Sequence, residues 1–197
     1  MRRQVSDPMA WDGDDKLAEE TLEESEEFSG DLLKLTVNTV RRPDGSSGKR
    51  EVVHHPGGVV VLPVLTGDGE EEVVLVRQYR EPVGKPIWEL PAGTLEEGET
   101  AQECARRELM EETNYRPGNL EKKVDLYTSP GYTDETLTLY LATGLKKLAP
   151  SEGLENPEDE NLIVESFEAE ELVSMARNGD IADGKTLAGL FFLIQRH

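Results

Sequence analysis

The 197-residue chain carries a single cysteine, Cys104, so no disulfide can form within it, and a reducing cytoplasm is the expected setting. Long apolar runs are also missing. The stretch 59–65 is among the longest, well below the roughly 20 residues of a spanning helix, so no membrane segment is expected. Met1-Arg2-Arg3 leads into polar and acidic residues, which is not the pattern of a secretory leader. Positive charge is scarce: 21 Lys and Arg face 41 Asp and Glu, for a formal net charge of −20. Such a chain repels phosphate backbones and anionic lipid, which argues against nucleic acid or membrane as a partner. An anionic small substrate would need a local island of Arg, Lys or metal. The same excess of acid suits a protein working at high salt, where screening shortens the reach of self-repulsion.

What is present suffices for a core, at 36% apolar residues, and the length suits one domain with a small extension. Residues 1–28 are acidic, poor in β-branched residues and without an apolar stripe, and read as a disordered or loosely helical tail. Strand patterns over 32–40 and 50–54, joined by Pro43-Asp44-Gly45, predict a hairpin in an N-terminal β segment, 29–56. The main domain, 57–197, opens on the apolar strand 59–65, followed by strands near 72–77, 124–127, 136–143 and 162–167. Two helices close the chain, the second with Leu187, Leu190, Phe191 and Ile194 at i, i+3, i+4, i+7. Strands, one central helix, more strands and terminal helices predict an α+β fold, an α/β/α sandwich on a mixed β-sheet with an N-terminal antiparallel β extension.

The central helix carries the chemistry. In GTLEEGETAQECARRELMEETNY, Glu108, Glu111 and Glu112 fall within an arc of roughly 100°. Like charges at i,i+4 destabilise an isolated helix, so this stacking asks for a compensating cation. A hard divalent ion with oxygen ligands, such as magnesium, is the natural one. The tight loop Pro91-Ala92-Gly93 places carbonyls where they can approach an ion. Cys104 on the same helix reads as a small packing residue rather than a nucleophile, since no histidine accompanies it. His54, His55 and His197 read as solvated, without the cysteines of a zinc site.

The spacing Gly93, five residues, Glu99, seven residues, Arg107-Glu108-Leu109, one residue, Glu111-Glu112 resembles the box of the Nudix hydrolases. The family pattern ends on Gly and an apolar residue, where this chain has Asn114 and Tyr115. Asn is the usual substitute for Gly at a helix end with positive φ. The resemblance implies an α/β/α sandwich and a magnesium-dependent (or manganese-dependent) hydrolase of nucleoside diphosphates. Ala92, Glu108, Glu112 and Glu160 would hold metal, and Glu158, Glu111 and Arg107 would be catalytic. Glu158 and Glu160 alternate just ahead of a strand and would point the same way if extended; an ordinary acidic loop is the other reading. Arg107 either orients the carboxylates or covers the helix surface, and the first is favoured because Glu108 is its neighbour.

Pro130, fifteen positions beyond Tyr115, together with Val76-Arg77-Gln78-Tyr79-Arg80 and Trp88-Glu89-Leu90-Pro91-Ala92-Gly93, is similar to the ADP-ribose pyrophosphatase branch. That branch implies hydrolysis of ADP-ribose to AMP and ribose 5-phosphate by a homodimer that exchanges its N-terminal strands. Arg80 would meet the diphosphate, Arg77 and Arg50 would add to the positive island, and Arg50 would approach the adenine of the partner chain. No aromatic residue lies between Gly30 and Val53 to stack on that base; Trp88 and Tyr132 are open alternatives, each with a plain core or turn reading. GDP-mannose or another sugar nucleotide, or ligand binding without turnover, are the alternative functions.

Overall fold

The computed structural model describes residues 16–67, 71–149 and 161–194. In chain order the elements are β1 (Glu20–Ser29), β2 (Lys34–Arg41), β3 (Ser47–His54), β4 (Gly58–Leu65), β5 (Glu72–Arg80), β6 (Lys85–Glu89), β7 (Ala92–Thr94), α1 (Ala101–Thr113), β8 (Tyr115–Arg116), β9 (Asn119–Tyr127), β10 (Thr136–Thr143), β11 (Lys146–Lys147), β12 (Ile163–Glu168), α2 (Ala169–Asn178) and α3 (Gly184–Ile194). They divide into two units, Met1–His55 with Ser129–Asp134, and Pro56–Thr128 with Glu135–His197.

The first unit is a three-stranded antiparallel sheet in the order β1-β2-β3. The hairpin expected from the turn at Pro43-Asp44-Gly45 is β2 and β3, paired from Lys34↔His54 to Arg41↔Ser47. The expectation of a tail running to about residue 28 is corrected: β1 occupies Glu20–Ser29, exposed at every position. Its sequence has no apolar face to announce a strand. What holds it is the backbone ladder to β2, with the ion pairs Arg41–Glu20 at 2.6 Å and Lys34–Glu26 at 2.8 Å across the pair. Of the histidines, His54 is the one placed differently from expectation. His54 joins Thr36 Oγ1 at 3.0 Å to Asp134 Oδ2 at 2.6 Å, and the His55 amide donates to Asp134 Oδ1 at 3.0 Å; His197 lies outside the described residues.

The second unit is built on β4. Its sequence, GVVVLPVL, is apolar on both faces, as expected of a strand covered on both sides. Val60, Leu62 and Val64 pack with Leu172, Ile181, Leu190 and Leu193 of the α2–α3 layer, whereas Val59 and Val61 pack with Cys104, Ala105 and Leu109 of α1. The pleat of one strand thereby divides two core layers, giving the α/β/α sandwich. The sheet runs β12-β5-β4-β10-β9 with β6 on β5 and β7 on β4. It is mixed, because β4 and β10 are parallel while the other pairs are antiparallel.

Helix α1 begins with a reciprocal cap: the Glu103 amide donates to Thr100 Oγ1 at 3.3 Å, and the Thr100 amide to Glu103 Oε2 at 3.0 Å. It ends at Asn114, left-handed at φ 58°, with its amide donating to the Met110 carbonyl. The position where the resembling box pattern carries Gly is thus a left-handed cap that Asn tolerates. We expect Asn114→Gly to leave stability within a few tenths of a kcal/mol and Asn114→Val to cost about 1–2 kcal/mol, read from denaturant unfolding midpoints.

Candidate active site

Strand β4 places both halves of the site. The Val61 amide donates to the Pro91 carbonyl at 2.9 Å, and Gly58, Val59 and Val60 pair with Thr94, Gly93 and Ala92. The loop before α1 is therefore fixed against the same strand whose Val59 and Val61 seat the helix. At the closest point only glycine fits: a Cβ on Gly93 would lie 1.9 Å from the Glu108 carboxyl. The Ala92 amide donates to Glu112 Oε2 at 3.2 Å, and Glu112 is 4% exposed. Ala92, proposed through its carbonyl, thus meets the box helix here through its N–H.

Arg107 lies between the carboxylates. It makes two parallel bonds to Glu99, Nε to Oε1 and Nη2 to Oε2, both 2.9 Å, and reaches Glu108 at 2.6 Å and Glu111 at 3.1 Å through Nη1. Nη2 also donates to the Thr94 carbonyl at 3.2 Å. The guanidinium is thus ion-paired to the box carboxylates rather than laid free along the helix surface. The Arg107 bonds, working against the cost of burial, hold the Glu99 carboxyl down at about 2, and Glu99 in turn pushes the guanidinium's pKa up. Burial, then the negative charge of Glu99, raises the Cys104 thiol to about 12. Cys104 is fully buried in the α1 core, and its thiol donates towards the Thr94 carbonyl at 3.5 Å, the geometry of a packing residue.

Glu108, Glu111 and Glu112 thus gather as the helical arc requires, with side chains 13%, 20% and, for the residue Glu112, 4% exposed. Among the described residues no group of three or more Asp, Glu, His or Cys side chains forms a ready-made ion cage. The physical reason is visible: Arg107 already bonds Glu108 and Glu111, and Glu112 is turned to the Ala92 amide. The donor set still fits a hard divalent cation, being carboxylate oxygen throughout, and the missing side chain at Gly93 leaves room for the Glu108 carboxyl. An ion there would compete with Arg107 for Glu108 and Glu111.

The other expected residues are distributed differently. Glu158 and Glu160 lie outside the described residues. Arg50, on β3, is ion-paired with Glu19, and Pro130 is exposed in the segment Ser129–Asp134 of the first unit. Arg77 and Arg80 do not form one island. Three positions apart on β5, they leave on opposite faces, and the unbroken β5–β6 register pairs Arg77 with Trp88. The Arg77 guanidinium lies 5.5 Å from the Trp88 ring centre, and Trp88 meets Phe167 edge-on at 5.0 Å, so the core reading of Trp88 holds. Arg80 shares its face with Glu89 and binds it twice, Nε to Oε1 at 2.9 Å and Nη2 to Oε2 at 2.8 Å.

Two residues of this neighbourhood escaped the sequence. Glu89 is 1% exposed, and Lys185 of α3 binds its Oε2 at 2.5 Å. Burial would push the Glu89 carboxyl up, but the Arg80 bonds and the Lys185 charge outweigh it and hold it below the usual carboxylate range. The one sequence signal is a lysine in the first turn of an otherwise apolar helix, where the dipole disfavours a cation.

The geometry agrees with the comparisons. A model of the NUDIX domain matches residues 54–190. The chain is 39% identical over 175 residues to the methanol dehydrogenase activator of Bacillus methanolicus, spanning 89% of this chain and 92% of that protein. It is 38% identical over 177 residues to the ADP-ribose pyrophosphatase of Bacillus subtilis (strain 168), spanning 90% and 93%. Among solved structures, an ADP compounds hydrolase shares the fold with a TM-score of 0.77 over 91% of this chain and 94% of that one, at 19% identity. The chain belongs to the Nudix hydrolase family, whose enzymes generally use divalent metal ions.

Two outcomes follow from the site's geometry. Gly93→Ala forces Glu108 aside and should lower kcat/KM by roughly 100-fold while weakening divalent-ion binding in a calorimetric titration. Glu99 has a depressed folded pKa, so its stabilisation is complete above its ordinary 4.5 and is lost as the pH falls from there towards about 2. Glu99→Gln should flatten that part of the acid-unfolding curve and lower stability at neutral pH.

Proposed function

We propose that this protein hydrolyses the diphosphate of ADP-ribose to AMP and ribose 5-phosphate, with magnesium as the preferred ion, manganese as a substitute, and other nucleoside diphosphate sugars as further substrates. The observation that carries the reading is that Glu108 and Glu112 of α1 meet the Ala92-Gly93 loop, Gly93 leaving Glu108 its space, while Arg107 ties Glu111 to Glu108. Kinship to an ADP-ribose pyrophosphatase across nine-tenths of the chain supports the substrate.

Glu108 and Glu112, with Glu160 and the Ala92 carbonyl, are the proposed metal ligands. A divalent ion supplies charge neutralisation at the phosphate oxygens and a more acidic water. Glu158 takes the proton of the attacking water, with Glu111 assisting. The water oxygen bonds to one phosphorus while that phosphorus loses its bridging oxygen, which leaves on the second phosphate. Arg107 holds the carboxylates in place, and Arg80, a planar fork, suits the diphosphate oxygens. Residues 29–56 are proposed as the segment exchanged in a homodimer, carrying Arg50 to the partner's adenine.

Purified protein with magnesium should release AMP from ADP-ribose faster than it cleaves GDP-mannose or UDP-glucose, and Glu112→Gln should lower turnover by at least about 100-fold. Product separation by ion-exchange chromatography reads both. No cleavage across the panel would sink the proposal.

A further inference from the structure

The cluster around Glu89 draws together three parts of the second unit. Arg80 is the last residue of β5, Glu89 the last of β6, and Lys185 lies in the first turn of α3. Glu89 Oε2 is shared between Arg80 Nη2 at 2.8 Å and Lys185 Nζ at 2.5 Å, and Lys185 also contacts Asp183 Oδ1 at 3.1 Å. Asp183 Oδ2 accepts from the Thr186 hydroxyl at 2.6 Å and the Thr186 amide at 2.9 Å. Thr186, itself fully buried, accepts from the Leu90 amide at 2.9 Å through its Oγ1. Leu90 directly precedes Pro91-Ala92-Gly93, so the first turn of α3 grips both the arginine's partner and the root of the box loop.

A simple structural pair would not need this arrangement. Glu89 could be neutralised by Arg80 alone, whose two parallel bonds already form a complete fork. A second cation on the same carboxylate oxygen fixes the carboxylate plane, and through it the plane of the guanidinium. The exposure gradient points the same way: the side chain of Glu89 is 2% exposed, that of Lys185 15%, and that of Arg80 38%. The buried acid and lysine form the base, and the arginine is the member that reaches solvent. It does so at the end of β5, beside the first turn of α3 that carries Lys185.

We propose that Lys185 is a positioning residue for substrate binding: it clamps Glu89 so that the Arg80 guanidinium is held in one orientation for a diphosphate. This rests on the reading of the protein as a nucleoside diphosphate sugar hydrolase. Lys185 itself touches no substrate. Its loss leaves Glu89 paired to Arg80 but free to rotate with it, which weakens binding of substrate and transition state alike. The kinetic signature of that is a higher KM at nearly constant kcat.

The test measures kcat and KM for ADP-ribose with magnesium, together with calorimetric binding of ADP without turnover, in wild type, Lys185→Met and Lys185→Arg. Lys185→Met should raise KM and weaken ADP binding by about fivefold, with kcat within about twofold. Lys185→Arg, which restores a cation at Glu89, should recover most of both. Lys185→Gln carries the same readouts should the Met variant fold poorly. Unchanged KM and ADP affinity in a folded variant, a fall in kcat at constant KM, or equal losses in the Met and Arg variants would each overturn the role of Lys185. Wild type that binds ADP yet cleaves no sugar nucleotide would overturn the proposed function instead, leaving the ADP titration to decide on Lys185.

Discussion

The second unit depends on the way a single guanidinium reconciles carboxylates that would otherwise repel one another. Arg107 bonds Glu99, Glu108 and Glu111 at 2.6–3.1 Å while three-quarters buried. In a medium of lowered dielectric, acids held this close repel one another. The arginine among them holds the Glu99 carboxyl down at about 2 and binds Glu108 and Glu111 through one nitrogen, which orients them. The same interaction ties Glu99, just before the Thr100 cap, to the middle of the helix.

That arrangement has meaning only because the loop and the helix are referenced to one strand. β4 receives the loop through Val61 and the short β7 ladder, and receives the helix through the side chains of Val59 and Val61. The spacing between Gly93 and Glu108 is therefore set by the thickness of a packed layer rather than by loop flexibility. A close-packed core transmits such a distance with little slack. The far side of the same strand, Val60, Leu62 and Val64, fixes the α2–α3 layer, from which Lys185 and Thr186 reach Glu89 and Leu90. Both helical layers thus act on the loop between β6 and α1.

Charge elsewhere in the chain is handled differently. β1 is acidic and exposed along its length, yet it forms a strand because the backbone ladder and a few cross-strand ion pairs hold it to β2. Exposed pairs of that kind contribute little individually, so the strand owes its place to hydrogen bonding. Two charged groups away from solvent are surrounded by opposite charge: Glu89 has two cations around it, and Arg107 has the four acids Glu96, Glu99, Glu108 and Glu111 within 4 Å.

What could be read from sequence was whatever local pattern fixes. The doubly apolar β4, the box helix with its shared carboxylate face, the left-handed end at Asn114 and the apolar closing helix follow from periodicity and from the conformational tolerance of Asn, and the mixed α/β/α sandwich follows from their order. Local pattern was silent on β1, whose partner rather than its composition makes it a strand, and on the pleat of β5, which sets Arg77 against Trp88 and sends Arg80 to the other face. It was silent too on Glu89 with Lys185, which stand 96 positions apart. Backbone propensity and spacing act over a few residues and are written in the chain itself; the pairing of buried charges depends on which strands and helices come to lie together, and only the tertiary structure decides that.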